Sequence, residues 1–112
     1  MSGVHRLNGH ALAIGTVVSA DSSLEEILKS VNAEVRKYSA APHMFSYEIE
    51  TWILGRAAYE EEYECEISQA EYRYCGIRLL ESAVDWLKRS CPDGVTFGIT
   101  DGDWGFWPSP ES

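Results

Sequence analysis

Glutamate is the residue type whose number and spacing suggest chemistry in this sequence. Glutamates fill five of the seven positions from Glu60 to Glu66. From residue 39 to residue 72 the chain has eight carboxylates and one Lys or Arg, Arg56. A row of like charges imitates the charge of a phosphate backbone, attracts a basic partner and steers the two molecules into a fast encounter. The pattern therefore indicates a binding surface.

Catalysis or metal binding by these carboxylates is not indicated. Glu62 and Glu64 are near enough in sequence for an acid/base pair, but such work requires a cleft or a perturbing neighbour, and the sequence shows neither. Asp101 and Asp103 form a lone DxD pair. Mg²⁺ and Ca²⁺ need more oxygen ligands than that pair provides. We expect no metal site and no catalytic residue.

Histidine and cysteine motifs are also missing. The residues concerned are His5, His10, His43, Cys65, Cys75 and Cys91. The histidines form no HExxH pair, and the cysteines have neither CxxC nor another metal-ligand spacing. No GxSxG, GxGxxG or P-loop motif is present. The sequence therefore predicts a protein that is not an enzyme and that carries no cofactor.

The overall charge narrows the class of partner. Eighteen acidic residues against nine basic ones give a formal net charge of -9. That charge repels nucleic-acid phosphates and anionic membranes, and it favours a basic protein. No apolar run reaches the roughly 18 residues of a membrane span, and the first ten residues lack the apolar centre of a signal peptide. With an odd number of cysteines, the chain is expected in the cytoplasm.

Two helices are predicted from caps and apolar spacing. Ser22 and Ser23 each precede a glutamate by three residues, which is the capping-box pattern at a helix start. Apolar residues follow at helical spacing as far as Tyr38. Ser68 and Glu71 form a second capping box, and the apolar stripe after it ends near Cys91.

The remaining pattern predicts strands. Asn8-Gly9 and Asp101-Gly102 are hairpin signals at the two ends of the chain. Apolar residues alternate with Glu48, Glu50 and Trp52 between Phe45 and Ile53, and alternation continues from Glu60 to Ile67. Because these two stretches are joined by a short turn, we expect paired strands whose glutamates lie on one open face.

The resulting order is strand, helix, strand, strand, helix, strand. It predicts an α+β ferredoxin-like (βαββαβ) two-layer sandwich with an N-terminal hairpin and a C-terminal hairpin extension. One domain over residues 1–112 fits the length, with a frayed tail at residues 108–112.

The favoured hypothesis is a small acidic inhibitor that occludes a basic, nucleic-acid-binding surface of a partner protein, in the manner of an immunity protein or a phage anti-defence inhibitor such as an anti-CRISPR protein. Its predicted partner-binding residues are Glu48, Glu50, Trp52, Tyr59, Glu60, Glu61, Glu62, Tyr63, Glu64 and Glu66. Secondary interface candidates are Asp101, Asp103, Trp104, Phe106 and Trp107, although packing over the core explains these aromatic residues equally well.

Two alternatives remain from the sequence. One is a ferredoxin-like small-molecule-binding or regulatory domain that dimerises through its sheet. The other, ranked last, is a metal-dependent enzyme using Asp101, Asp103 and a nearby glutamate. Direct binding of nucleic acid is not expected, because glutamates occupy the face on which a ferredoxin-like sheet would present aromatics to bases.

Overall fold

Helices dominate the centre of the chain, and strands lie at its two ends. The computed structural model describes residues 6–7, 10–12, 14–39 and 43–108. The helices of this part are α1 (Leu24–Tyr38), α2 (Met44–Ile53), α3 (Arg56–Tyr63) and α4 (Gln69–Ser90). The strands are β1 (Arg6–Leu7), β2 (His10–Ala11), β3 (Gly15–Ser19), β4 (Val95–Thr100) and β5 (Asp103–Pro108).

The two helices predicted from caps are confirmed. The Ser23 hydroxyl accepts a hydrogen bond from the Glu26 N–H at 3.2 Å at the start of α1. At the start of α4, Ser68 and Glu71 form both bonds of a capping box. These bonds satisfy N–H groups that have no partner within the helix, so each start is fixed by local chemistry.

The two predicted glutamate-rich strands are wrong, since both stretches are largely helical. Residues 45–53 lie in α2, and residues 60–63 form the second half of α3. In α2 the buried side chains are Ser46, Ile49 and Trp52, which are spaced by three residues rather than two. A helix therefore buries Trp52, which the strand pattern placed on the open face. In α3, alanine and glutamate are strong helix formers that strands disfavour.

The ferredoxin-like fold is consequently wrong, and the protein is a mixed α+β structure with a different sheet. The described sheet is antiparallel with the order β3-β5-β4, and β1 pairs separately with β2. β4 and β5 form the predicted C-terminal hairpin, whose turn residues Asp101 and Gly102 both have positive φ, of 54° and 80°. This hairpin was predicted as an extension added to the sheet, but it supplies two of the three strands, and β5 is the central strand of the sheet.

The N-terminal hairpin is present as the short β1–β2 pair, with Arg6 opposite Ala11. Its predicted turn, Asn8-Gly9, lies outside the described residues, as does the predicted tail apart from Pro108. Pro108 ends β5 and lies opposite Val95.

The core lies where α1 and α4 meet the sheet. α1 contacts α4 and β3, α4 contacts β4, and α2 packs on both α1 and α4. Tyr38, Phe97 and Phe106 are fully buried at the centre. The Phe106 ring meets Tyr38 edge-on at 5.9 Å between centroids and lies 4.9 Å from Phe97. α3 is peripheral, with its main contacts to α2.

Among the described residues, no helix has the length and apolar character that crossing a membrane requires.

A candidate acidic binding surface

α3 and the loop after it carry the highest density of glutamates. Gly55 precedes the helix with a φ of 119°, a backbone conformation that glycine adopts readily. The helix ends at Tyr63 and is followed by its C-cap residue Glu64, which has a left-handed φ of 50°. The Cys65 N–H then donates to the Glu60 carbonyl at 3.1 Å, which closes the last turn. This turn ends the helix within one residue, so Glu64 and Glu66 follow α3 closely in the chain.

Four carboxylates of this segment form what we call the acidic surface: Glu61, Glu62, Glu64 and Glu66. All four residues are exposed, and none forms an ion pair with any residue that the structure describes. Unpaired like charges repel one another, so their clustering disfavours the isolated protein and favours a bound cationic partner.

A groove beside the acidic surface adds apolar contact area. It has a volume of about 490 Å³ and lies between the end of α2 and α3. Its lining residues are Thr51, Leu54, Ala58, Glu61, Glu62 and Glu64. Leu54 is 76% exposed. The groove therefore combines an exposed aliphatic side chain with three carboxylates.

Tyr63 is the one predicted aromatic contact that the structure leaves at the surface, with 43% of its area exposed. Partial burial raises the pKa of its phenol, and the nearby Glu48 and Glu62 carboxylates raise it further, although the Thr51 hydroxyl acts in the opposite direction. The phenol therefore stays protonated near neutral pH and is available to donate a hydrogen bond to a partner.

Three of the predicted partner-binding glutamates are engaged within the protein instead. Glu48 accepts a hydrogen bond from the Tyr59 hydroxyl at 2.8 Å, and Glu60 accepts one from the Ile67 N–H at 2.9 Å. Glu50 forms an ion pair with Arg36, which joins α2 to α1. These carboxylates hold elements together, so their role is structural in the free protein.

Trp52 and Tyr59 are buried, contrary to their predicted role as contact residues. Only 5% of Trp52 and 7% of Tyr59 is exposed. The Trp52 indole stacks on the Tyr72 ring at 4.5 Å and donates its N–H to the Tyr72 carbonyl at 2.7 Å. Both side chains connect α2 and α3 to the rest of the core, where no partner reaches them.

The C-terminal candidates belong to the sheet. Phe106 is 1% exposed, and the Trp107 indole donates to the Gly98 carbonyl at 2.9 Å. Trp104 stacks on Phe97 at 5.9 Å. Asp103 accepts a hydrogen bond from Thr16, and Asp101 occupies the β4–β5 turn. Packing within the fold accounts for this aromatic segment.

Sequence reasoning missed the α2 side of the site. Thr51 in α2 and Leu54 directly after it line the groove, and Leu54 is strongly exposed. Tyr47, also exposed, lies one helix turn before Thr51, so the three residues recur at helical spacing. The signal was present, because the i, i+4, i+7 spacing places these residues together once the segment is read as a helix.

In the part of the chain that the structure describes, no group of three or more His, Cys, Asp or Glu residues could hold a metal ion. Comparison with protein-family models, curated proteins and solved structures gave no match for the chain.

Proposed function

We propose that this protein is a small inhibitor that binds a basic, nucleic-acid-binding surface of another protein. The observation that supports the proposal is the acidic surface: four exposed carboxylates that pair with no described residue, beside the exposed side chain of Leu54. Binding by occupancy requires no catalytic group. The inhibitor would act by excluding nucleic acid from its target.

Charge and apolar contact have different roles in this proposal. The acidic surface steers the encounter, and fields of this kind raise association rates by about 10- to 1,000-fold at low salt. Leu54 supplies the anchor, since burying a leucine side chain is worth about 1.5–3 kcal/mol. A lysine or arginine beside an apolar residue on the partner matches the groove.

The biological setting follows as part of the proposal. Immunity proteins that neutralise nuclease toxins, and phage-encoded inhibitors of defence nucleases, both need a compact acidic chain directed at a basic groove. We place the protein in the cytoplasm, where its three free cysteines remain reduced.

The test compares two charge-matched variants. The first is Glu61→Gln, Glu62→Gln, Glu64→Gln on the acidic surface. The second is Glu25→Gln, Glu81→Gln, Asp93→Asn, three exposed carboxylates elsewhere on the molecule. Both variants change the net charge by the same amount, so they separate a local surface from bulk charge.

The measurement is capture of host proteins on the wild type and on each variant, at low and high salt. We expect a basic nucleic-acid-binding protein that salt releases, that added nucleic acid displaces, and that the first variant loses while the second retains it. Equal retention by both variants would remove the basis of the proposal.

A second candidate function is a regulatory or small-molecule-binding domain that dimerises through its sheet. The observation in its favour is the outer edge of β4, which pairs with no other strand in the described structure. The strand reads VTFGIT and carries no charge, whereas protected edges usually carry lysine, proline or a bulge. Solution mass at pH 7.5 decides between the two: this candidate predicts twice the monomer mass of 12.6 kDa.

A further inference from the structure

A second groove lies between α2 and α4, apart from the acidic surface. Its volume is about 580 Å³. Met44, Phe45 and Glu48 line it from α2, and Cys75, Arg78 and Leu79 line it from α4. Pockets that hold small molecules have volumes of roughly 300–1,000 Å³ and combine apolar walls with a few fixed polar groups. The groove has both features.

The negative group in the groove is held in place. The Glu48 carboxylate accepts a hydrogen bond from the Tyr59 hydroxyl at 2.8 Å through one oxygen. Tyr59 is buried, and burial and the Glu48 carboxylate raise the pKa of its phenol, which therefore remains a donor. The second carboxylate oxygen forms no hydrogen bond or ion pair with any described residue and is available to a ligand that donates hydrogen bonds.

The positive group is Arg78, one helix turn beyond Cys75. Arg78 forms no ion pair with any described residue, and its guanidinium lies 6.0 Å from the centre of the exposed Tyr74 ring. The groove therefore holds one anion and one cation that are not paired with each other. Phe45 and Leu79 line the same groove and give it apolar surface.

We propose that this groove binds a small zwitterion with an apolar side chain, of the amino-acid or dipeptide class with free termini. Its ammonium group binds Glu48, its carboxylate binds Arg78, and its side chain packs on Phe45 and Leu79. A singly charged ligand would leave one groove charge without a partner, whereas a zwitterion satisfies both. This inference does not depend on the inhibitor function.

The test is a titration of the isotope-labelled protein, followed by nuclear magnetic resonance of its backbone amides. The probes are leucine, the dipeptide leucyl-leucine, its N-acetyl form and its C-terminal amide. We expect saturable shifts at Met44, Phe45 and Leu79 with leucine or leucyl-leucine. Each capped form should bind about tenfold more weakly, because each loses one charge-assisted hydrogen bond. The two uncapped probes distinguish an amino-acid site from a dipeptide site.

Two variants and one control test the assignment of the charges. Glu48→Gln keeps an acceptor for Tyr59 but loses the ammonium partner, and Arg78→Met keeps the apolar stem but loses the carboxylate partner. Each should weaken binding about tenfold. Arg73→Met, an exposed arginine of α4 outside this groove, should change nothing.

Several results would overturn the proposal. Capped and free peptides binding equally would show a purely apolar site, and unchanged binding in both Glu48→Gln and Arg78→Met would remove the charge assignment. Shifts at no groove residue would exclude the site. None of these results bears on the acidic surface, whose own variants leave this groove intact.

Discussion

Identical glutamate side chains in this protein have two different roles, and the difference depends on what each carboxylate contacts. Glu60 bonds to the backbone of Ile67, whereas Glu61 next to it is exposed and pairs with no described residue. In the sequence, nothing distinguishes these two neighbouring glutamates. Only the helix geometry decides that one side chain turns toward the α3–α4 connection while its neighbour faces solvent.

Replacing Glu60 and Glu61 one at a time tests this distinction. We expect Glu60→Ala to lower the free energy of unfolding by about 1 kcal/mol, since it removes an acceptor from a partly buried N–H. Glu61→Ala should be nearly neutral. Urea unfolding followed by tryptophan fluorescence measures both. Equal effects would show that the Glu60 bond contributes nothing to stability.

Cys91 allows a prediction about reactivity and pH. Burial raises the pKa of its thiol from 9.0 to about 11. At pH 8 this rise in pKa lowers the thiolate fraction about 100-fold. A thiolate of higher pKa is intrinsically more nucleophilic, by nearly tenfold for this difference, so the reaction rate falls only about tenfold. Iodoacetamide should therefore modify Cys91 about tenfold more slowly in the folded protein than in urea.

Mass spectrometry of the digested protein gives the modification rate at this one site. In the folded state, the rate should continue to rise as the pH approaches 11, because deprotonation is what limits it. Equal rates for the folded and unfolded chain at pH 8 would contradict the raised pKa.

Among the elements, α4 depends on a glycine at its contact with α2. A Cβ built on Gly76 would lie 2.7 Å from Cε2 of the Trp52 indole. Alanine usually stabilises a helix by about 1 kcal/mol relative to glycine, but overpacking of a core contact costs about 1–3 kcal/mol. The indole is held by its stacking on Tyr72, so it cannot easily move away.

We therefore expect Gly76→Ala to destabilise the protein by up to about 2 kcal/mol, against the helix-propensity trend. Gly98→Ala in β4 is the matched control, because a Cβ there meets nothing within 4 Å. Thermal unfolding of both variants gives the comparison. A Gly76→Ala protein at least as stable as the wild type would show that α2 and α4 separate freely.

The predictability of each element depended on how many independent signals it carried. α1 and α4 had both a cap and an apolar stripe, and both helices are present as predicted. In α2, Phe45, Ile49 and Ile53 recur every four residues, a spacing that satisfies a strand and a helix alike. No capping residue marked this segment as a helix, since the residue at its N-cap, His43, makes no capping hydrogen bond with its side chain.

The candidate site was predicted only in part for the same reason. The glutamate-rich segment could be recognised from composition alone, which needs no knowledge of the secondary structure. The exposed positions of Leu54 and Tyr47 could be predicted only from the helical period, so the sequence pattern did not indicate them. Trp52 and Tyr59 were placed on the wrong side of the chain by the same error. A strand, with its period of two residues, places Trp52 on the open face, whereas the helix buries it.

For the whole molecule, net charge opposes self-association through the β4 edge, which pairs with no strand on its outer side among the described residues. The charge of -9 makes copies repel one another at neutral pH, and it vanishes near the isoelectric point of about 4.6. The edge itself carries no charge, and Ile99 on β4 is 54% exposed. Self-association should therefore begin as the pH approaches 4.6.

Light scattering between pH 7.5 and pH 4.6 tests this prediction. Ile99→Lys raises the isoelectric point slightly, but it places a charge on the edge strand itself, and this local charge should shift the onset to lower pH. Tyr74→Lys, at an exposed position of α4, adds the same charge away from the edge. Because it only raises the isoelectric point, it should shift the onset to slightly higher pH. If both variants behave alike, bulk charge alone controls the association.

The peripheral position of α3 has a consequence for how such a protein changes over generations. Tyr59 is the one buried residue of α3, and the contacts of this helix are mainly with α2. Substitutions at its exposed positions therefore cost little stability and escape the purging that acts on core residues. If α3 binds a target as proposed, selection by a changing target leaves the charges of α3 free to diverge, while packing constrains α2 and the core.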